Sequence, residues 1–194
     1  MEVYVLLFDD FDSLDAFGPA DVLGRVPDQF HLNYVSVTGN IVNSMQGIKV
    51  WTEKLDPENI EGVLLIPGGK GARRLLFQDE ETMKLIKTAA RKATYCLMVA
   101  NGSALLAQTG LLFRRKIADC SMDENWRRMF LAGVSFVKDA SWMVDGKYYS
   151  SSDTISGISM TLGMVADVVD IDVAYRVADD IGFKLDLDND NVFL

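Results

Sequence analysis

Short apolar, β-branched runs recur along this chain at intervals that a helix can fill: VYVLLF (3–8), HLNYVSV (31–37), GVLLI (62–66), YCLMV (95–99) and VSFV (134–137). Between and after them, apolar residues follow helical spacing over 14–26, 79–92, 103–109, 123–132, 154–168 and 172–181. Strands alternating with helices predict an α/β fold, a mostly parallel sheet with helices on both faces. VYVLLF, VLLI and YCLMV are apolar almost without interruption, which suits strands buried on both sides, so these three are expected in the middle of the sheet. Residues 142–150 read as a hairpin, WMV and YYSSS joined through Asp145-Gly146, a favoured type I′ pair. In DENWRRMFLA the acids come first and Arg127 and Arg128 later, the order a helix dipole favours.

A chain of 194 residues falls within the usual size of one domain and can bury about 70% of its unfolded surface. No linker, repeat or low-complexity stretch divides it, so a single domain over 1–194 is expected. Nineteen Lys and Arg against 28 Asp and Glu give a formal charge of −9, which argues against nucleic acid and anionic membranes as partners. The opening EVYVLLF is too short to span a membrane and lacks the features of a signal peptide, which suggests a cytoplasmic protein. Two cysteines, Cys96 and Cys120, are too few for a disulfide framework and have no partner at metal-ligand spacing, so neither metal nor cofactor is expected. His31, the lone histidine, opens a strand pattern and reads as structural. DLDNDN (186–191) lacks the glycine and distal glutamate of a calcium loop and reads as a solvated acidic tail.

In an open parallel sheet the ligand site forms beyond the carboxyl ends of the strands, which directs attention to three segments. After the first strand, Asp15 stands among Leu14, Ala16 and Phe17 in a helical pattern. It is either a used carboxylate or an acid stabilised at a helix N-terminus, and the residues alone leave both open. After the third, Pro67-Gly68-Gly69-Lys70-Gly71 can present backbone N–H groups as an anion nest, though glycine after a strand is often only a turn. After YCLMV, Ala100-Asn101-Gly102 leads directly into an amphipathic helix, the layout of a nucleophile elbow. A cysteine there would be activated by the helix N-terminus, whereas Ala100 has nothing to activate.

LDAFGPADVL, LLIPGGKGAR, the elbow followed by ALLAQTGLL, and WMVDGKYYSSSDTISGISMTLGMVADV resemble the ThiJ/PfpI superfamily in order and spacing over nearly the whole chain. They are most similar to the branch holding isocyanide hydratases and proteins named intracellular protease or amidase. The resemblance implies a flavodoxin-like three-layer sandwich related to class I glutamine amidotransferases, usually a homodimer. It implies that position 100 is that of a nucleophilic cysteine, that Asp15 is its acid partner, and that Gly68 and Gly69, with Asn101 and Gly102 of the elbow, form the pocket and oxyanion site. Asn101 stands where relatives often carry Thr. IADCS (117–121) replaces ATSNK-like or ATTH-like segments, and Asp153 replaces a common Gly. Asp119, Cys120 and Asp153 are therefore candidate pocket-lining residues. Cys96, inside a strand pattern, reads as inert packing, and a carboxylate next to Cys120 would raise its pKa.

These departures together suggest a member without efficient catalysis that keeps a pocket for a small-molecule ligand. One alternative is a cysteine-dependent hydratase, amidase or glyoxalase represented here by a Cys-to-Ala variant. Another is a ligand-sensing module that acts through a partner, since the chain carries no helix-turn-helix segment of its own.

Overall fold

The computed structural model describes residues 1–78, 80–120, 122, 125, 127–128, 133–187 and 191–193. Among them, nine strands form one sheet in the order β11-β9-β10-β6-β5-β1-β2-β4-β3. These are β1 (Glu2–Leu6), β2 (His31–Ser36), β3 (Asn40–Asn43), β4 (Lys49–Lys54), β5 (Val63–Ile66), β6 (Tyr95–Met98), β9 (Trp142–Asp145), β10 (Tyr148–Ser151) and β11 (Asn191–Phe193). Neighbours run parallel except at β3/β4 and β9/β10. β6, β5 and β1 lie at the centre, as their unbroken apolarity requires, and Val63 to Ile66 are fully buried.

Helix α1 (Ser13–Gly24) packs on α5 (Thr154–Val168), which packs on α6 (Ile171–Asp180). Helices α2 (Lys70–Gln78), α3 (Glu80–Lys92) and α4 (Ser103–Gln108) pack together as a second group. The two groups cover the sheet as outer layers, a three-layer flavodoxin-like sandwich. Asp12 starts α1 by accepting the N–H groups of Leu14 and Asp15, and Asp153 starts α5 by accepting that of Ser156. These caps set where each helix begins at the carboxyl edge of the sheet.

Three expectations are corrected, and one helix was not anticipated. VSFV forms β8 (Ser135–Val137), which leaves the main sheet and pairs with β7 (Lys116–Ala118) in a separate parallel ribbon. A strand of three residues with one exposed and two half-buried positions has too little apolar surface to claim a place in a buried sheet. The unanticipated helix is α2, which contains Gly71 and follows directly on the Gly68-Gly69 pair. Gly71 is required because a Cβ there would meet the Phe8 ring and the Asp9 carbonyl, yet Ala72 and Leu76 bury one face at helical spacing. In the hairpin, Asp145 pairs with Tyr148, so the turn residues are Gly146 and Lys147, and only Gly146 (φ 64°) has positive φ. That is the requirement of a type II′ turn rather than I′. The acidic tail is in part a strand, since Asn191 opens β11 beside β9.

The helix expected over 123–132 lies largely outside the described residues, as does part of 186–191. His31 is exposed at the start of β2, 3.8 Å from Glu2, and takes no part in the site described below. No described helix is long and apolar enough to cross a membrane.

Candidate functional site

Five chain segments meet beyond the carboxyl ends of β1, β5, β6 and β10 and enclose a cavity of about 460 Å³. The β1–α1 segment contributes Asp12 and Asp15, and β5–α2 contributes Gly69, Lys70 and Arg73. Ala100 and Asn101 come from β6–α4, Ser152, Asp153 and Thr154 from β10–α5, and Cys120 and Met122 from the stretch after β7. Met45 closes one side.

Asp15 is 2% exposed. Its Oδ2 accepts the Gly68 N–H at 3.1 Å, the Thr154 hydroxyl lies beside the carboxyl, and Oδ1 is buried and makes no hydrogen bond of ordinary geometry among the described residues. Burial pushes its pKa up to about 6; the Thr154 hydroxyl and the Gly68 N–H pull it down, and the charges of Asp12 and Asp153 push it up. Asp15 lies in the first turn of α1 and also lines the cavity, so it stands where both readings left open by the sequence would put it. The helix N-terminal amides of α1 are taken by Asp12 instead.

The elbow is built as the strand-to-helix junction suggested. Ala100 has φ 47°, in the left-handed region that costs an L-residue about 1–2 kcal/mol. Its carbonyl accepts the Ser103 hydroxyl at 2.9 Å. A Cβ at Gly102 would stand 2.5 Å from the Ile66 carbonyl oxygen and 2.7 Å from that of Pro67, so only glycine lets β5 and the elbow come this close. A side chain at position 100 would therefore be presented at the cavity wall, and the one present is a methyl group.

The glycine nest differs from expectation. The Gly68 N–H is consumed by Asp15, and the Gly69 N–H donates to Asn101 Oδ1 at 2.9 Å. Asn101 Nδ2 returns a bond to the Gly69 carbonyl at 3.0 Å, closing a two-bond clasp. The Gly102 N–H bonds to Val99 O at 2.9 Å, and Gly102 does not line the cavity. Three of the amides expected to receive an oxyanion are thus committed within the protein. An asparagine has both a donor and an acceptor at the right span for such a clasp, whereas a threonine hydroxyl could not close both bonds.

The flanking candidates divide. Asp119 is turned away into an ion pair with Arg127 and is absent from the cavity wall, because Arg127 lies over the Phe136 ring and draws the carboxylate to it. Cys120 does line the cavity, 2% exposed, with its Sγ 3.7 Å from the Ser103 hydroxyl. Burial raises its pKa more than Ser103 and Arg127 lower it, so the thiol is protonated at neutral pH. Asp153 lines the wall but its oxygens serve as the α5 cap. Burial would raise its pKa, yet the N–H and hydroxyl of Ser156 and the hydroxyl of Ser152 hold it below the ordinary value. Cys96 is fully buried away from the site, its thiol pushed up to about 12 by burial.

Thr154, Asp12, Met45, Lys70 and Arg73 were not anticipated at the site. Thr154 follows the Asp153 cap directly, a position that brings it to the carboxyl edge of the sheet. Met45 reaches the wall from a turn with no local signal. Among the described residues, no group of three or more His, Cys, Asp or Glu side chains is arranged to hold a metal ion.

The sequence profile of the DJ-1/PfpI family matches residues 1–167. This chain belongs to the DJ-1/PfpI family. It is 30% identical over 182 residues to an isonitrile hydratase of Pseudomonas putida, covering 91% of this chain and 76% of that protein. The fold is also similar to that of an AraC family transcriptional regulator from Pseudomonas putida (TM-score 0.78, 19% identity, 93% of this chain and 98% of that one). A Cys-to-Ala mutant of a DJ-1 superfamily protein from Salmonella typhimurium is similar too (TM-score 0.79, 20% identity, 94% and 98%).

Proposed function

We propose that this chain is a DJ-1/PfpI member that binds a small molecule in the elbow cavity and has little or no catalytic turnover. The observation that carries the reading is Ala100 at φ 47°, a side chain with no chemistry at the strained elbow position that the family resemblance assigns to a nucleophile. Two further observations support it: Asn101 occupies the Gly69 amide, and Cys120 is buried and protonated. The reading includes a homodimer in the cytoplasm, in keeping with the family resemblance and with two buried, unpaired thiols.

The experiment offers the protein isocyanides, methylglyoxal and small amides, alongside an Ala100→Cys variant. No turnover is expected from the protein, and only slow turnover from the variant, because its oxyanion donors stay engaged with Asp15 and Asn101. A turnover number near the enzyme median of about 10 per second from the unaltered chain would overturn the reading.

One alternative has an observation in its favour. The elbow keeps its strained backbone, and the chain is 30% identical to an isonitrile hydratase, as expected of an enzyme whose native residue 100 is cysteine. In that case the thiolate attacks the electrophilic carbon and Asp15 transfers the proton. Sequencing codon 100 of the native gene separates the two: an alanine codon removes this alternative, and a cysteine codon makes it the leading one.

A further inference from the structure

A second cavity lies apart from the elbow, where β1 and β2 end and α2 and α3 cover them. It measures about 180 Å³ and shares no described wall residue with the elbow cavity. Its floor is Leu6, Leu7, Phe8, Val42 and Ile86, all buried. Leu75 of α2 is half-buried, while Asp9 and Thr38 are exposed and mark the mouth. The polar side chains on this wall are engaged within the protein. Ser36 Oγ lies 2.8 Å from Thr52 Oγ1 and 3.3 Å from the Gly39 carbonyl oxygen, which also receives the Thr38 hydroxyl at 3.3 Å. Asp9 Oδ1 accepts the N–H and the Nδ2 of Asn43, at 2.9 and 3.3 Å, and Thr82 is engaged as well. Among the described residues, none of the buried side-chain polar atoms without a partner stands on this wall.

We propose that this cavity takes a small apolar molecule, a single aromatic ring or an aliphatic group of that size. Volume, floor and polar accounting all point to this class. A water molecule held in a cavity needs two to four polar partners, and a wall whose polar side chains are already engaged offers few. An apolar cavity of about 150 Å³ is enough to stay dry and bind benzene, so 180 Å³ has room for one ring. A polar ligand atom directed at Leu6, Leu7 and Ile86 would lose its hydration with nothing in exchange, whereas a hydrocarbon edge gains by leaving water. Helix α2 lines both cavities, with Leu75 here and Lys70 and Arg73 at the elbow. The inference nevertheless stands apart from the reading of the elbow, because it uses none of the elbow residues.

The test is an NMR titration of the methyl-labelled protein with benzene and with pyrazine, an isostere carrying nitrogens at opposite ends of the ring. Whichever way pyrazine enters along that axis, one nitrogen points at the floor. Benzene is expected to saturate with a Kd of about 1 mM or tighter and to show intermolecular NOEs to the methyl groups of Leu6, Leu7, Val42 and Ile86. Pyrazine is expected to bind roughly tenfold more weakly, since its inward nitrogen is left without a donor. Leu75→Trp places a larger side chain at the cavity and is expected to weaken benzene by about tenfold or more. Failure of benzene to saturate below its solubility would overturn the proposal, as would NOEs confined to Ala100 and Met122 of the elbow cavity. So would pyrazine binding as tightly as benzene, or undiminished benzene affinity in a folded Leu75→Trp protein. Should that variant not fold, the NOEs and the benzene-to-pyrazine ratio in the unaltered protein decide between the same outcomes. Isocyanide turnover bears on the elbow reading alone and leaves this result untouched.

Discussion

Asp15 is where one residue's environment most affects both stability and function. An unfolded aspartate titrates near 3.8, and this one near 6, so between those values the folded protein holds a proton that the unfolded chain has lost. Its contribution to stability is greatest below pH 3.8 and declines as pH rises to about 6, by roughly 3 kcal/mol in all. Replacing it by asparagine removes the titrating group. The melting temperature of Asp15→Asn relative to the unaltered protein is therefore expected to rise between pH 4 and pH 7, by several degrees at about 2–4 °C per kcal/mol for a chain of this size. Thermal melts followed by circular dichroism across that range check this, and curves that stay parallel would mean that the carboxyl is not perturbed. A protein that keeps such an acid buried gives up stability at neutral pH for a charge inside its cavity.

At the scale of elements, the start of α5 shows how a position suspected of shaping the pocket serves mainly to hold a helix in register. Asp153 accepts from the Ser156 N–H at 2.8 Å and from two serine hydroxyls at 2.9 Å each. The helix it starts runs past α1 and carries Thr154 to Asp15. Asp153→Ala is expected to cost about 1 kcal/mol through loss of the cap, lowering the melting temperature by about 2–4 °C. A melting temperature that does not fall would show that the cap is dispensable.

For the whole molecule, the sheet ends on one side in β3, whose residue Ile41 sits opposite Trp51 of β4. Both are exposed, at 56% and 67%. The proposed homodimer is checked by sedimentation velocity at micromolar concentration. A species of twice 21.5 kDa is expected, and a single 21.5 kDa species across the whole range would remove the dimer from the proposal.

The sequence by itself determined the class of fold, the central strands and the end of the sheet at which the candidate cavity opens. Unbroken apolar runs leave β1, β5 and β6 nowhere to go but the middle of a sheet, and the site must lie where those strands end. Thr154–Val168 was legible to the residue because its cap and its apolar face are both local. Where the elements depended on partners distant in sequence, the residues alone misled. Helix α2 forms through packing that Gly71 obscures, VSFV loses its place in the sheet to β10, and the β3/β4 hairpin carries no turn pair to announce it. At the site, the sequence showed which groups were present and the tertiary structure decided which were free. Asp15 and Gly68 are 53 residues apart, and Gly69 and Asn101 are 32 apart. Whether an amide N–H faces a ligand or a neighbouring side chain depends on a few ångströms between such segments, a distance set by packing of the whole sheet and by no local pattern.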